Sequence, residues 1–318
     1  VWIVDELVNI FLASDVAQIM KNFGKSTKQE DPIIHFYETF LGEYNPALRK
    51  ARGVWYTPQP VVNFIVRAVD DMLKTEFDLP QGLADTSKTI VQVDYYGKKI
   101  EKEVHKVQIL DPATGSGTFL AEVVTHIYKK FEGQQGIWSK YVANDLIPRL
   151  NGFELLMASY AMAHLKMDML LTETGYKPSD DQRFKIFLTN SLEEAHQDSG
   201  TLFSSWLSDE SNQANEIKRD TPVMCVIGNP PYAVSSTNKN EWIQNLIADY
   251  KKDLNERKIN LDDDYIKFTR FGQHYIDKNG EGILAYISNN SFIDGITHRQ
   301  MRKHLLESFD KIYILDLH

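Results

Sequence analysis

The chain has 318 residues, 42% of them hydrophobic, and a formal net charge of −9. That acidic balance excludes the global basic footprint of a self-sufficient nucleic-acid binder, and no apolar run is long enough to span a bilayer. A single cysteine, Cys225, argues against disulfide frameworks and cysteine metal clusters and suits a reducing cytoplasm. No leader is visible, so the expectation is a cytoplasmic protein. The sequence starts at Val1 and stops at His318 inside what reads as a strand, so a piece of a longer protein is expected. The length fits one α/β domain with an appendage.

Val1–Phe23 has helical periodicity through Val4, Leu7, Phe11 and Met20. Asp31-Pro32 reads as an N-cap with proline at the first helical position, opening a second helix. Residues 1–52 are therefore expected to form a small helical segment that packs on, or couples, a main domain over 53–318. Gly53–Leu73 (GVWYTPQPVVNFIVRAVDDML) reads as an aromatic loop and then a helix with Pro60 near its start. Trp55 and Tyr56 suit either core packing or the wall of a ligand site. Thr89–Val104 predicts a β-hairpin turning near Gly97.

The stretch that organises the chain is Val107–Leu120, VQILDPATGSGTFL. VQIL is a short apolar run of the kind that forms a buried parallel strand, and Asp111-Pro112 stops it. Gly115-Ser116-Gly117 makes a turn, and Thr118 onwards reads as a helix. Strand, glycine turn and helix is the arrangement in which a nucleotide-like ligand sits over the carboxyl end of a strand. The spacing is neither GxGxxG nor a Walker A loop, and a plain structural turn stays open on this motif alone.

Four more strands are expected. Arg149–Phe153 ends at Glu154, a residue that can accept from both ribose hydroxyls or complement the dipole of the next helix; the ribose role is favoured. The helix LLMASYAMAHLKMDMLL follows, its methionines core filler and its His164 structural. Arg183–Leu188 ends in Thr189-Asn190-Ser191-Leu192. Glu193–Arg219 is polar and predicts a surface excursion with a short helix around Trp206. Val223–Ile227 ends in Gly228-Asn229-Pro230-Pro231-Tyr232. Asp262–Tyr275 is the next helix, and Gly282–Ser288 the next strand. His298–His304 is locally basic, a phosphate contact or a solvated helix face. Ile312–Leu317 starts one further strand. No metal-binding pattern appears.

Asn-Pro-Pro-Tyr at a strand end carries chemistry. Two prolines fix the backbone and remove two donors. The Asn229 amide oxygen and the Pro230 carbonyl can then accept both hydrogens of a planar NH2 group. Such bonds favour a nitrogen becoming tetrahedral and positive as it attacks an electrophile. Tyr232 offers a face for stacking a planar ring.

DPATGSG with NPPY resembles the amino-methyltransferases that use S-adenosylmethionine, in the N6-adenine DNA branch. GVWYTP upstream matches that family's extra cofactor motif, in the gamma arrangement. DPIIHFYETFLGEYNPALRKARGVWYTP resembles the leader of the methyltransferase domain in single-chain type ISP and type IIL restriction-modification enzymes. The resemblance implies a doubly wound, mainly parallel, Rossmann-like class I methyltransferase fold and S-adenosylmethionine as cofactor. It implies that Tyr56, Thr57 and Pro58 line the methionine end of the cofactor. Asp111, Pro112, Ala113, Gly115 and Gly117 would shape the cradle, with Asp111 near the amino-acid moiety. Glu154 would hold the ribose, and Asn190, where the family often has Asp, would meet the adenine with Leu192. Asn229, Pro230, Pro231 and Tyr232 would grip a target adenine flipped out of the duplex, with Phe292 near it.

Two rivals remain at this stage. One is an enzyme of the same fold acting on RNA bases or protein glutamine, which present a comparable planar NH2. The other is a non-catalytic coupling module. Sequence-specific readout needs groove-reaching side chains and phosphate affinity needs basic surface, so weak DNA binding is expected from this stretch. Target recognition, and any nuclease or helicase activity, is expected from segments outside it.

Overall fold

The computed structural model describes residues 57–317, apart from 96–97, 179–181, 196–204, 234–235 and 257–260. The expected helices before residue 52, the aromatic residues Trp55 and Tyr56, and the turn at Gly97 lie outside the described residues.

Helix α1, Gln59–Glu76, carries a proline in its first turn, where a missing N–H costs nothing. Its apolar residues Val62, Ile65, Val66, Val69 and Leu73 recur at helical spacing, and all are buried. Each such side chain removed from water contributes about 1.5–3 kcal/mol. The hairpin follows: β1, Lys88–Tyr95, pairs antiparallel with β2, Lys98–His105, from Lys88 opposite His105 to Tyr95 opposite Lys98.

The main sheet has five parallel strands, β3 (Ile109–Asp111), β4 (Leu150–Glu154), β5 (Lys185–Leu188), β6 (Cys225–Gly228) and β7 (Ile283–Tyr286). Their spatial order is β5-β4-β3-β6-β7. The order reverses between β3 and β6, which makes their carboxyl ends the switch point of an open α/β sheet, where ligands bind. The sequence motifs DPATGSG and NPPY follow these two neighbouring strands.

Side chains alternate between two cores, as the pleat requires. Ile109, Cys225 and Ile227 enter a cluster with α1, α2 (Thr118–Lys129), α3 (Gln135–Tyr141) and α4 (Met157–Glu173). Leu110 and Val226 enter a second cluster with α5 (Ser205–Asp220), α6 (Glu241–Lys251) and α7 (Asp264–Asn279). Helices thus cover both faces, and the sheet is doubly wound. A third cluster of Ile247, Tyr250, Leu261, Tyr265, Ile266 and Met301 joins α6 and α7 to α9 (Arg299–Ser308). The short helix α8, Ser291–Asp294, lies just before it.

Two expectations are corrected. The polar stretch after residue 193 is more than a surface excursion with a short helix. It forms the 16-residue α5, which buries Ala214 and Ile217 and turns Glu210 and Lys218 inward. The expected strand Ile312–Leu317 is not one: it has no ladder partner among the described residues, and Tyr313 and Leu317 stay largely exposed. An apolar run makes a strand only where an edge is there to pair with it. Among the described residues no helix is long and apolar enough to cross a membrane.

Candidate active site

The loop after β3 is held by its own backbone. The Thr114 hydroxyl donates to Asp111 O at 3.0 Å, and the Thr114 N–H donates to Phe153 O on β4 at 3.0 Å. Gly117 N–H closes the turn onto Thr114 O at 2.8 Å. Gly115 (φ +57°) and Gly117 (φ +82°) both take left-handed conformations that side chains resist. A Cβ on Gly117 would also stand 3.4 Å from Ala163 Cβ on α4. Gly152 of β4 was not visible as a site residue in the sequence, yet a Cβ there would sit 2.6 Å from the Thr114 hydroxyl. The cradle passes over a strand that must be bare at that point.

Two carboxylates close the cradle from adjacent strand ends. Asp111 is buried, accepts from Ala113 N–H at 3.1 Å, and burial pushes its carboxyl up to about 8. Gly228 opposite it lacks the Cβ that would stand 2.8 Å from Oδ1. Glu154 accepts from Leu156 N–H at 2.7 Å and from Gly115 N–H at 2.8 Å, and burial raises it to about 7. Each carboxylate oxygen offers two lone-pair sites, so both groups retain acceptors that the described residues leave unused. Buried carboxylates short of donors fit a ligand bringing a cation and hydroxyls, as the amino-acid and ribose parts of S-adenosylmethionine do.

The loop after β5 forms the next wall. The Ser191 hydroxyl donates to Pro112 O. Asn190 is engaged with its neighbours: Nδ2 donates to Glu193 Oε1 and to Asn238 Oδ1, both at 3.0 Å, and Oδ1 accepts from Leu192 N–H at 3.1 Å. Leu192 is fully buried in the core beneath the loop. Lys218, also unforeseen as a site residue, donates from α5 to Asn190 O at 2.7 Å and to Glu193 O at 3.1 Å. Burial brings its ammonium down to about 8. It looked like one charge in a solvated helix, and nothing local in the sequence marked it.

At the end of β6, Asn229 Nδ2 donates to Thr57 Oγ1 at 3.0 Å, and its Oδ1 accepts from the Tyr232 hydroxyl at 2.9 Å. No donor among the described residues reaches the Pro230 carbonyl, and Pro230 itself is buried. The loop is pinned just beyond Pro231 and Tyr232. Ala233 N–H donates to Asp263 Oδ1 at 3.0 Å, and Asp264 N–H donates to Ala233 O at 3.3 Å. Asp263 also caps α7, a role that Asp before a helical run could have signalled. Burial, with Asp263 nearby, pushes the Tyr232 hydroxyl up to about 12.

Tyr232 and Phe292 pack against the same cluster around Tyr265 and Met301. Phe292, on α8, is braced from behind: Arg302 donates to Phe292 O and Gly295 O, each at 2.8 Å. The Tyr265 hydroxyl meets Ser291 Oγ at 2.9 Å and His298 Nε2 at 3.1 Å. The basic stretch after residue 298 therefore spends its guanidinium groups on the protein itself, Arg299 on Glu256 at the surface and Arg302 on these carbonyls. His164 contacts Ile186 O at 3.1 Å, as a structural histidine would. Thr57 and Pro58 are present at the mouth of α1, while Tyr56 lies outside the described residues.

A nucleotide-type cradle on β3 and an NPPY acceptor pair on β6 thus share one switch point. The family model for N-6 DNA Methylase matches residues 28–312. The chain belongs to that family. It is similar to the Type II methyltransferase M.BstVI of Geobacillus stearothermophilus, with 26% identity over 246 residues, covering 74% of this chain and 38% of the relative. Among solved structures it resembles DrdV in its complex with DNA (TM-score 0.65, 28% identity, 87% of this chain and 24% of that one). It also resembles LlaBIII, an ATP-dependent type ISP restriction-modification enzyme bound to DNA (TM-score 0.64, 26% identity, 86% of this chain and 18% of that one). The chain thus spans well under half the length of each.

Proposed function

We propose that the chain transfers a methyl group from S-adenosylmethionine to the N6 amine of an adenine flipped out of DNA. In this reading it is the modification domain of a bacterial, cytoplasmic restriction-modification protein. Bound S-adenosylmethionine supplies a methyl carbon already activated by its sulfonium. Asp111 would face the cofactor's ammonium, Glu154 its ribose, and the loop of Asn190 its adenine, with Leu192 supporting that loop from the core beneath. Thr57 and Pro58, with Tyr56, line the methionine end, and Pro112, Ala113, Gly115 and Gly117 shape the floor.

The chain's own part in the reaction is alignment and hydrogen bonding. Asn229 Oδ1 and the Pro230 carbonyl accept the two hydrogens of the amine and stabilise it as it becomes positive. Pro231 holds the loop rigid, and Tyr232 and Phe292 offer faces to the base. The observation that carries the proposal is the acceptor pair at the end of β6: an Asn229 oxygen held by Tyr232 beside a Pro230 carbonyl without a donor. With a net charge of −9, this domain contributes little phosphate affinity. Target recognition, and any nuclease or helicase activity, belongs in this reading to other segments of the protein.

The test is tritiated-methyl transfer to DNA, with base analysis of the product. The wild type should label N6-methyladenine. Asn229→Ala should lose about a hundredfold or more in turnover, as removal of a transition-state hydrogen-bond partner does, while calorimetry shows cofactor affinity little changed. Full transfer by that variant would refute the assignment. Label appearing in RNA or protein, and not in DNA, would redirect the substrate class.

A further inference from the structure

The Asn229 amide has two ends of nearly equal size and opposite chemistry, and only the oxygen can accept from an amine. An NH2 turned to the substrate would set donor against donor. Shape alone does not choose between the two orientations, so the partners must. Tyr232 meets Oδ1 at 2.9 Å and Thr57 meets Nδ2 at 3.0 Å. A phenolic hydroxyl is the better donor and an aliphatic hydroxyl the better acceptor, so the pair favours the orientation seen. Either hydroxyl alone tolerates both orientations, because each can donate or accept.

We propose that Thr57 is a positioning residue for the transfer step: its hydroxyl takes the Asn229 N–H and keeps Oδ1 turned toward the substrate amine. This rests on the methyltransferase reading above and deepens it. The contact joins positions 172 residues apart in the sequence, linking the segment before α1 to the loop after β6. Thr57 is half-buried beside a half-buried Asn229, so water competes incompletely for either partner.

The experiment compares Thr57→Val and Thr57→Ser in the intact protein, by methyl transfer at saturating cofactor and DNA, cofactor calorimetry and thermal melting. Thr57→Val, which keeps the shape, should lose about tenfold or more in kcat at saturating cofactor, with melting temperature near wild type and whatever it loses in cofactor affinity too small to account for that. Thr57→Ser, which keeps the hydroxyl, should recover most of that loss. Unchanged kcat in Thr57→Val would overturn the role. So would a loss confined to cofactor affinity and recovered at saturation, or a serine variant as impaired as the valine. A wild type that binds cofactor but transfers methyl to no DNA, RNA or protein amine would sink the methyltransferase reading itself, and this role with it. An active wild type with an unaffected valine variant would remove only the role of Thr57.

Discussion

Two buried aspartates of this domain face opposite ways electrostatically. Asp70 on α1 is ringed by Lys74 Nζ at 2.6 Å, Lys130 Nζ at 2.6 Å and Leu83 N–H at 2.7 Å, with His126 Nε2 3.0 Å away. Burial alone would raise its carboxyl, but these partners outweigh burial and hold it well below the usual carboxylate range. Asp111 on β3 is equally closed to solvent, lies deeper in the protein and has one donor, the Ala113 N–H, so burial wins and the carboxyl rises to about 8. Donor supply, together with depth, separates them. Asp70 is a finished clamp between α1, α2 and the turn at Gly82, and its lysines also complement the carboxyl ends of both helices. Asp111 is left short, which is what a site for a cationic ligand requires.

The largest effects should come from removing each carboxylate. Asp70→Ala takes the buried partner shared by Lys74 and Lys130, which keep Asp71 and Gln81 O, and should cost about 3 kcal/mol in urea unfolding, the low end for breaking a buried ion pair. Asp111→Asn should do the reverse at pH 8 and above: it removes a carboxylate that dislikes its surroundings, so stability should hold or rise while cofactor affinity falls about tenfold or more. If both variants unfold equally easily, the contrast between clamp and site is wrong.

The pH dependence sharpens the same contrast. Asp70 has a lowered folded pKa, so its stabilisation is present above the unfolded carboxylate range and is lost only in strong acid. Asp111 has a raised one, so its share of stability is full below about pH 4 and declines as the pH climbs toward about 8. The decline is at most about 1.4 kcal/mol per pH unit and should vanish in Asp111→Asn. Cofactor binding should favour the ionised form, so calorimetry at pH 7 in buffers of different ionisation heat should show proton release. A binding heat independent of buffer would remove the ammonium from Asp111.

How much of this was legible depended on whether a residue's partner was near it in sequence. The β3 turn with its glycines, the NPPY loop and the hairpin carry their signals locally, and the structure forms them with ends shifted by a residue or two. Helix α5 was underestimated because Glu210 and Lys218 read as solvated charges. In the fold Glu210 accepts Leu188 N–H at 3.0 Å and pairs with Arg183, while Lys218 bonds carbonyls of the loop after β5. Thr57 was expected only as a cofactor contact, since its bond to Asn229 depends on the folded chain. Ile312–Leu317 misled for the converse reason: its apolar run is real, but it joins no ladder among the described residues.

The smallest expected effects come from the glycines that face the two carboxylates. A Cβ on Gly82 would stand 2.3 Å from Asp70 Oδ1, and one on Gly228 would stand 2.8 Å from Asp111 Oδ1. Overpacking of this kind costs about 1–3 kcal/mol, but the two carboxylates should respond differently. Asp70 is held by three donors and cannot move without releasing them, and Gly82 also has φ +55°, so Gly82→Ala should appear as lost stability. Asp111 is held by one backbone N–H, and Gly228 too has a positive φ, +157°, so Gly228→Ala should lose some stability and also several-fold in cofactor affinity. Unfolding curves and calorimetry on both variants read the two quantities separately. If Gly228→Ala lost stability and kept its affinity, Asp111 would be a second clamp, and the cradle would have to bind its ligand by other groups.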